Sequence, residues 1–102
     1  MDFYLYILYS SIFDKFYIGY SADPWRRLEQ HNSGRVHKFT SSYRPWELAA
    51  VFKIGSDRCM AMKIEKFIKK QKSKILLKKL IDVDFVPEGF LAQLVRVPHV
   101  RD

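Results

Sequence analysis

Phe3-Tyr4-Leu5-Tyr6-Ile7-Leu8-Tyr9 and, after a short connection, Phe16-Tyr17-Ile18-Gly19-Tyr20 are the two stretches on which the fold turns. An uncharged run of aromatic and β-branched residues predicts a strand over 3–9 that is buried on both faces. Ser10 to Lys15 supplies a turn, so 16–20 returns beside it as a hairpin. Side chains alternate along a strand, which puts Tyr4 and Tyr6 on one face and Tyr17 and Gly19 on one face. Pairing then brings Tyr6 toward Tyr17, and Gly19, without a side chain, would leave room for a substrate backbone. Tyrosines favour strands in any case, so the hairpin alone says little about chemistry.

Working outward, Asp23 can cap a helix and Pro24 suits its first position, where a missing N–H costs nothing. That helix, 24–33, carries Trp25, Leu28 and Asn32 on one side and stops at Gly34. Arg35 to Arg44 reads as a polar loop, and Pro45 opens a third strand over 46–53. Met60, Ile64, Phe67, Ile68 and Gln71 recur at spacings of three and four, predicting a helix over 57–72. Ser73 can cap a shorter one over 74–81. The order β-β-α-β-α-α predicts an α/β (α+β) fold: a small, three-stranded, mainly antiparallel sheet flanked by helices.

The whole chain has 102 residues, enough for one domain. Its 48% hydrophobic and 28% charged residues exclude a disordered chain, and no apolar run has the ~20 residues of a membrane span. The start, Met1-Asp2-Phe3-Tyr4, lacks the marks of a signal peptide, so a cytoplasmic location is expected. One cysteine, Cys59, excludes an internal disulfide or a cysteine-rich zinc site, and His31, His37 and His99 show no metal-ligand spacing. The net charge of +7 invites an anionic partner, nucleic acid first. Eight lysines and a single acid, Glu65, fall between Lys63 and Lys79.

Arg27 and His31 stand one helical turn apart, and a fork-shaped guanidinium there, or at Arg26, could hold a phosphate beside the tyrosines. Glu65, at the flank of the apolar stripe, could hold a hard divalent cation. Its ordinary alternative is an ion pair with Lys69, worth a few tenths of a kcal/mol.

Taken in order, Tyr4-Leu5-Tyr6, Tyr17-Ile18-Gly19, Asp23-Pro24-Trp25-Arg26-Arg27-Leu28, His31-Asn32-Ser33-Gly34, Lys38-Phe39-Thr40, Pro45-Trp46-Glu47-Leu48 and a helical Glu65 resemble the GIY-YIG nuclease superfamily. The resemblance runs from residue 3 to about 81 and is closest to small stand-alone bacterial members. There is similarity to the nuclease domain of the excinuclease C subunit as well. It implies a nuclease domain over 1–82 that hydrolyses phosphodiesters in DNA with one Mg²⁺ or Mn²⁺ ion. Tyr6 would take a proton from the attacking water, and Tyr17 would orient that water or touch the scissile phosphate. Arg27 would stabilise charge on phosphorus, with His31 beside it, and Glu65 would hold the metal. Gly19, Arg26, Lys38, Thr40, Lys69, Lys70 and Lys72 are the expected substrate contacts. Branched, nicked or single-stranded DNA is the expected partner, RNA the alternative, with recognition by structure rather than sequence.

The chain departs from the family pattern in three places. The first motif has no glycine, the place of a lysine after the second is taken by Tyr20, and no asparagine follows Asn32. A non-catalytic nucleic-acid binder on the same scaffold is the competing reading. An H-N-H nuclease is rejected because His31-Asn32 lies inside a helix. The remaining segment, 83–102, is read as a tail. Leu91-Ala92-Gln93-Leu94-Val95-Arg96 can be encoded by codons resembling the D-arm of bacterial transfer-RNA genes. That suggests a reading frame running into such a gene, and a tail that is loosely ordered or only opportunistically packed and free of site residues.

Overall fold

The computed structural model describes residues 1–98; the last four residues of the expected tail, His99 among them, lie outside the described residues. Four strands form one antiparallel sheet in the order β2-β1-β3-β4: β1 (Phe3–Ser10), β2 (Lys15–Ser21), β3 (Glu47–Gly55) and β4 (Val95–Val97). Helices α1 (Pro24–Ser33), α2 (Lys38–Ser42), α3 (Arg58–Gln71) and α4 (Lys74–Ile81) cover it, and a 3₁₀ turn, Gly89–Gln93, precedes β4. No helix among the described residues is long and apolar enough to cross a membrane.

β1 is the central strand, paired with β2 on one side and β3 on the other. Both its faces are covered, so Leu5, Tyr6, Ile7 and Leu8 are all at most 1% exposed. Leu5 and Ile7 join Phe52, Ile64, Ile68 and Leu80 in one apolar cluster under α3 and α4. Tyr6 and Leu8 join Trp46 and Val51 in a second, with Trp25 and Leu28 of α1 packed against it. An uncharged run of seven residues is what a strand between two such layers requires.

The caps at Asp23 and Ser73 fall where the sequence puts them, while Asp57, read as the first residue of its helix, caps α3 instead. Asp23 accepts from Arg26 N (3.1 Å), Asp57 from Cys59 N (2.9 Å) and Ser73 from Leu76 N (3.1 Å). Gly34 ends α1 in the left-handed region (φ 77°). The stripe on α3 is rotated from the expected one. Ala61, Ile64 and Ile68 are buried, while Phe67 is exposed and rests its ring on Phe90 (5.2 Å).

Two features correct the sequence reading. The expected loop 35–44 contains α2, one turn built by local polar side chains: Thr40 donates to His37 O, and Ser41 and Ser42 donate to Lys38 O. Such bonds make a helical turn and an irregular loop look alike in sequence. The expected three-stranded sheet has a fourth strand, supplied by the tail. β4 pairs with β3, Leu91 and Leu94 are each 5% exposed in the main cluster, and Phe85 packs against it. Arg96 lies over the Phe52 ring (4.6 Å) and donates to Leu80 O (2.8 Å) and Asp82 O (2.7 Å). The tail through Val97 is therefore packed, not loose.

Burial of those two leucines contributes on the order of 3–6 kcal/mol. Truncation after Glu88 should accordingly lower the melting temperature by roughly 15 °C or more. An unchanged melting curve would show that the segment only decorates the core.

Candidate functional site

The site begins with a steric fit between two strands. Tyr6 stands directly opposite Gly19 in the β1–β2 register, and its ring lies across the glycine. A Cβ added at Gly19 would sit 2.6 Å from Cζ of Tyr6 and would overlap its hydroxyl. Gly19 therefore admits the tyrosine ring; the space expected for a substrate backbone is filled from within the protein. Tyr6 itself is 1% exposed, lying beneath the surface rather than on it.

From that position the Tyr6 hydroxyl meets His31 Nε2 at 3.0 Å. His31 is fully buried on the inner face of α1, not displayed on an exposed basic face. Its Nδ1 lies 3.0 Å from Thr40 Oγ1, and the Thr40 hydroxyl donates to His37 O (3.1 Å). Since the threonine proton is committed to the carbonyl, Thr40 must accept from Nδ1–H. Nε2 is then a lone pair facing the Tyr6 O–H, a tautomer assigned by the network. Thr40, fully buried, is thus no substrate contact as expected; it orients the histidine. Trp46 holds it there, donating Nε1–H to Thr40 O (2.8 Å). Asn32 clamps Trp46 in turn, accepting from its N (2.7 Å) and donating to its O (3.0 Å).

Above this buried pair lie half-buried groups from both helical layers. Tyr17 packs its ring against His31 (centroids 4.7 Å apart) and near Tyr6 (6.4 Å). Lys69 of α3 extends over the Tyr17 ring (5.5 Å) and pairs with Glu65 (3.1 Å). Glu65 thus makes the ordinary one-turn ion pair and also stands near enough to act electrostatically on Tyr6. Arg27, held by Gln30 (2.7 Å), completes the group on the α1 side. The structure brings Tyr6, Tyr17, Arg27, His31 and Glu65 together.

Burial pushes the Tyr6 hydroxyl up to about 12; the Arg27 guanidinium beside it works the other way, and Tyr17 and Glu65 raise it further. Burial, then the charges of Arg27 and His37, depress His31 to about 4. The imidazole is therefore neutral at pH 7 and free to accept a proton. The resting proton stays on Tyr6, because burial weakens both the phenol as an acid and the imidazole as a base. Positive charge closer to the phenol than to the imidazole would narrow that difference.

Among the described residues no three His, Cys, Asp or Glu side chains cluster as a metal cage. A divalent ion here would take Glu65 as its protein ligand and fill its shell with water and substrate oxygens. Mg²⁺ accepts such a donor set, since it dehydrates reluctantly and often uses one or two carboxylates plus phosphate.

The expected substrate contacts divide by position. Lys69 and Lys72 line a cavity of about 390 Å³ with Tyr17, Lys15 and Lys74. Lys70 is on another face of α3, beside a separate depression lined by Lys63, Lys66 and Phe67. Arg26 and Lys38 are exposed at α1 and α2. Sequence reasoning missed His37 and Phe39, which lie against Tyr17 (5.4 and 6.4 Å), and Tyr43, which lies against Phe39 (5.0 Å). The run Lys38-Phe39-Thr40 pointed to the segment but not to the role of each residue.

The depressed histidine carries a pH signature. Its folded value, about 4, lies below the ordinary 6.5, so the unfolded chain binds more protons between them. Stability should fall as pH drops through that window, by on the order of 3 kcal/mol in all. Denaturant titrations from pH 7 to 4 should show the loss, and His31→Gln should flatten it. An equal slope in the variant would mean that His31 is not the group responsible.

The family model for the GIY-YIG catalytic domain matches residues 2–80. A UPF0213 protein of Fusobacterium nucleatum subsp. nucleatum is 30% identical over 105 residues, covering 99% of this chain and 95% of its own length. A structure-specific endonuclease subunit SLX1 of Podospora anserina is 38% identical over 66 residues, 60% of this chain. A homolog of that subunit from Caenorhabditis briggsae is 40% identical over 52 residues, 48% of this chain. The matched segments span only 19% and 12% of those two endonuclease subunits. The solution structure of a UPF0213 protein from Bacillus halodurans is 31% identical, covering 85% of this chain and 89% of its own, with a TM-score of 0.48. The match of the catalytic-domain model over residues 2–80 shows that the chain belongs to the GIY-YIG family.

Proposed function

We propose that this protein is a divalent-metal-dependent endonuclease that hydrolyses phosphodiester bonds in DNA and selects its target by structure rather than sequence. The observation that carries this reading is the hydrogen-bonded run Tyr6–His31–Thr40 beneath Tyr17, Arg27 and Glu65. A buried phenol needs a hydrogen-bond acceptor in any structure; a proton relay needs that acceptor to be a basic nitrogen, as His31 Nε2 is.

Here the scissile phosphate lies against Arg27 and Tyr17, and the attacking water lies near the Tyr6 oxygen. As the water oxygen bonds to phosphorus, its proton passes to Tyr6 and the phenolic proton passes to His31 Nε2. The bond from phosphorus to the leaving oxygen breaks, and that oxygen takes the electron pair. Arg27 offsets the charge that builds on the phosphoryl oxygens. Thr40 keeps the imidazole in the tautomer that accepts. Glu65 would hold a divalent metal ion, which would supply Lewis-acid charge when bound. The lysine-lined cavity beside Tyr17 takes a neighbouring phosphate of the same strand.

Two sets of substitutions test the reading on labelled single-stranded, nicked and branched DNA, in Mg²⁺, Mn²⁺ or EDTA. Glu65→Gln should reduce cleavage by about 100-fold or more while leaving the melting temperature unchanged. Full cleavage by that variant would place the metal elsewhere. Replacing Lys69 and Lys72 by Ala should weaken DNA binding and flatten its salt dependence more than replacing Lys63 and Lys70, which lie off the site. Metal-independent binding without cleavage would instead describe a binder on a nuclease scaffold.

A further inference from the structure

A row of rings runs away from the site, along α2 to the hairpin tip. The Phe39 ring lies 6.4 Å from Tyr17 and within 30° of parallel to it. Tyr43 follows at 5.0 Å from Phe39, and Phe13, in the β1–β2 turn, at 5.4 Å from Tyr43. One side of this row is structural, since Phe39 also touches Trp46, which is 2% exposed. The other side faces solvent: Phe39 is 38% exposed and Phe13 45%.

Cations flank the row. Lys15 extends over the Tyr43 ring (5.4 Å), and the exposed Lys38 precedes Phe39. The acid of the hairpin turn, Asp14, is already engaged by the Tyr9 hydroxyl and by Lys74. Exposed rings interleaved with unopposed cations suit a ligand with flat apolar faces on an anionic backbone. Continuous duplex offers no base faces to such rings; a single strand offers one per nucleotide.

We propose that Phe39, Tyr43 and Phe13 form a stacking platform for unpaired bases next to the scissile phosphate, so that the strand entering the site is single-stranded there. This rests on the nuclease reading for the position of the phosphate, but the platform is a binding surface that can be tested without cleavage. Strand separation beside the cut would then be the structural feature that the protein reads. Lys15 and the cavity lysines contact the backbone, and the rings take the bases.

The test uses the full chain in EDTA, so that no strand is cut. Its probes are a short oligonucleotide carrying 2-aminopurine, used as a single strand and annealed into duplex. The wild-type protein should bind the single strand more tightly than the duplex, and stacking should quench the 2-aminopurine fluorescence. Phe13→Ala combined with Phe39→Leu, the latter keeping apolar volume beside Trp46, should weaken single-strand binding by about ten-fold or more. Quenching should disappear, while duplex affinity and melting temperature remain as they were. Tighter binding of duplex, absent quenching, or equal weakening for both forms would overturn the proposal. So would unchanged affinity for both, which would leave the row to contact a protein. Quenching in EDTA with no cleavage in Mg²⁺ would keep the platform and sink the nuclease; cleavage without quenching would do the reverse.

Discussion

The ring of Tyr6 lies flat across Gly19, and everything chemical in this molecule depends on that contact. A side chain at residue 19 would collide with the phenol, so the second strand must be bare where the first is bulkiest. Once the ring is seated, the hydroxyl has one direction left, toward His31 on α1. Each later placement follows from fixing that hydrogen bond. Thr40 must present its oxygen to Nδ1, α2 must present Thr40, and Trp46 and Asn32 must hold α2 to α1 and to the start of β3. The aromatic and polar groups here are hydrogen-bonded rather than merely packed, and a buried network of this kind is costly when any member is lost.

Tyr17 is the point where the two helical layers meet. It belongs to the outer strand β2, so groups from α1 and α3 both reach its ring, His31 from one side and Lys69 from the other. That explains how Glu65, on a helix whose apolar side packs on Leu5 and Ile7, can influence Tyr6 on the other face of β1. Burial raises the phenol and lowers the imidazole, holding the proton on oxygen at rest. The Arg27 guanidinium lowers both groups, and a cation nearer the phenol than the imidazole would ease the transfer between them.

Much of the fold was legible because its signals are local. The uncharged β1 run, the Asp23-Pro24 start, the Gly34 stop and the cap at Ser73 each act within a few residues. The order of motifs also picked out Tyr6, Tyr17, Arg27, His31 and Glu65, which the structure brings near one another. What could not be read was long-range. Whether Gly19 left space for substrate or for Tyr6 depends on cross-strand register. Thr40 looked like a surface hydroxyl because nothing in its own segment shows that Trp46 and His31 close over it. How the tail packs is hidden for the same reason: Arg96 gains its place from Phe52 and from carbonyls at the end of α4. The ring row went unread because Phe13, Phe39 and Tyr43 come from two separate segments.

The protonation of His31 tests this account most directly, since the seating of Tyr6, the role of Thr40 and the relay all require one tautomer. Nitrogen-15 NMR of the imidazole, followed from pH 7 downward, reads it without substrate or metal. The account predicts a proton on Nδ1, a bare Nε2, and a ring that stays neutral until the pH approaches about 4. A proton on Nε2, or titration near the ordinary 6.5, would contradict it.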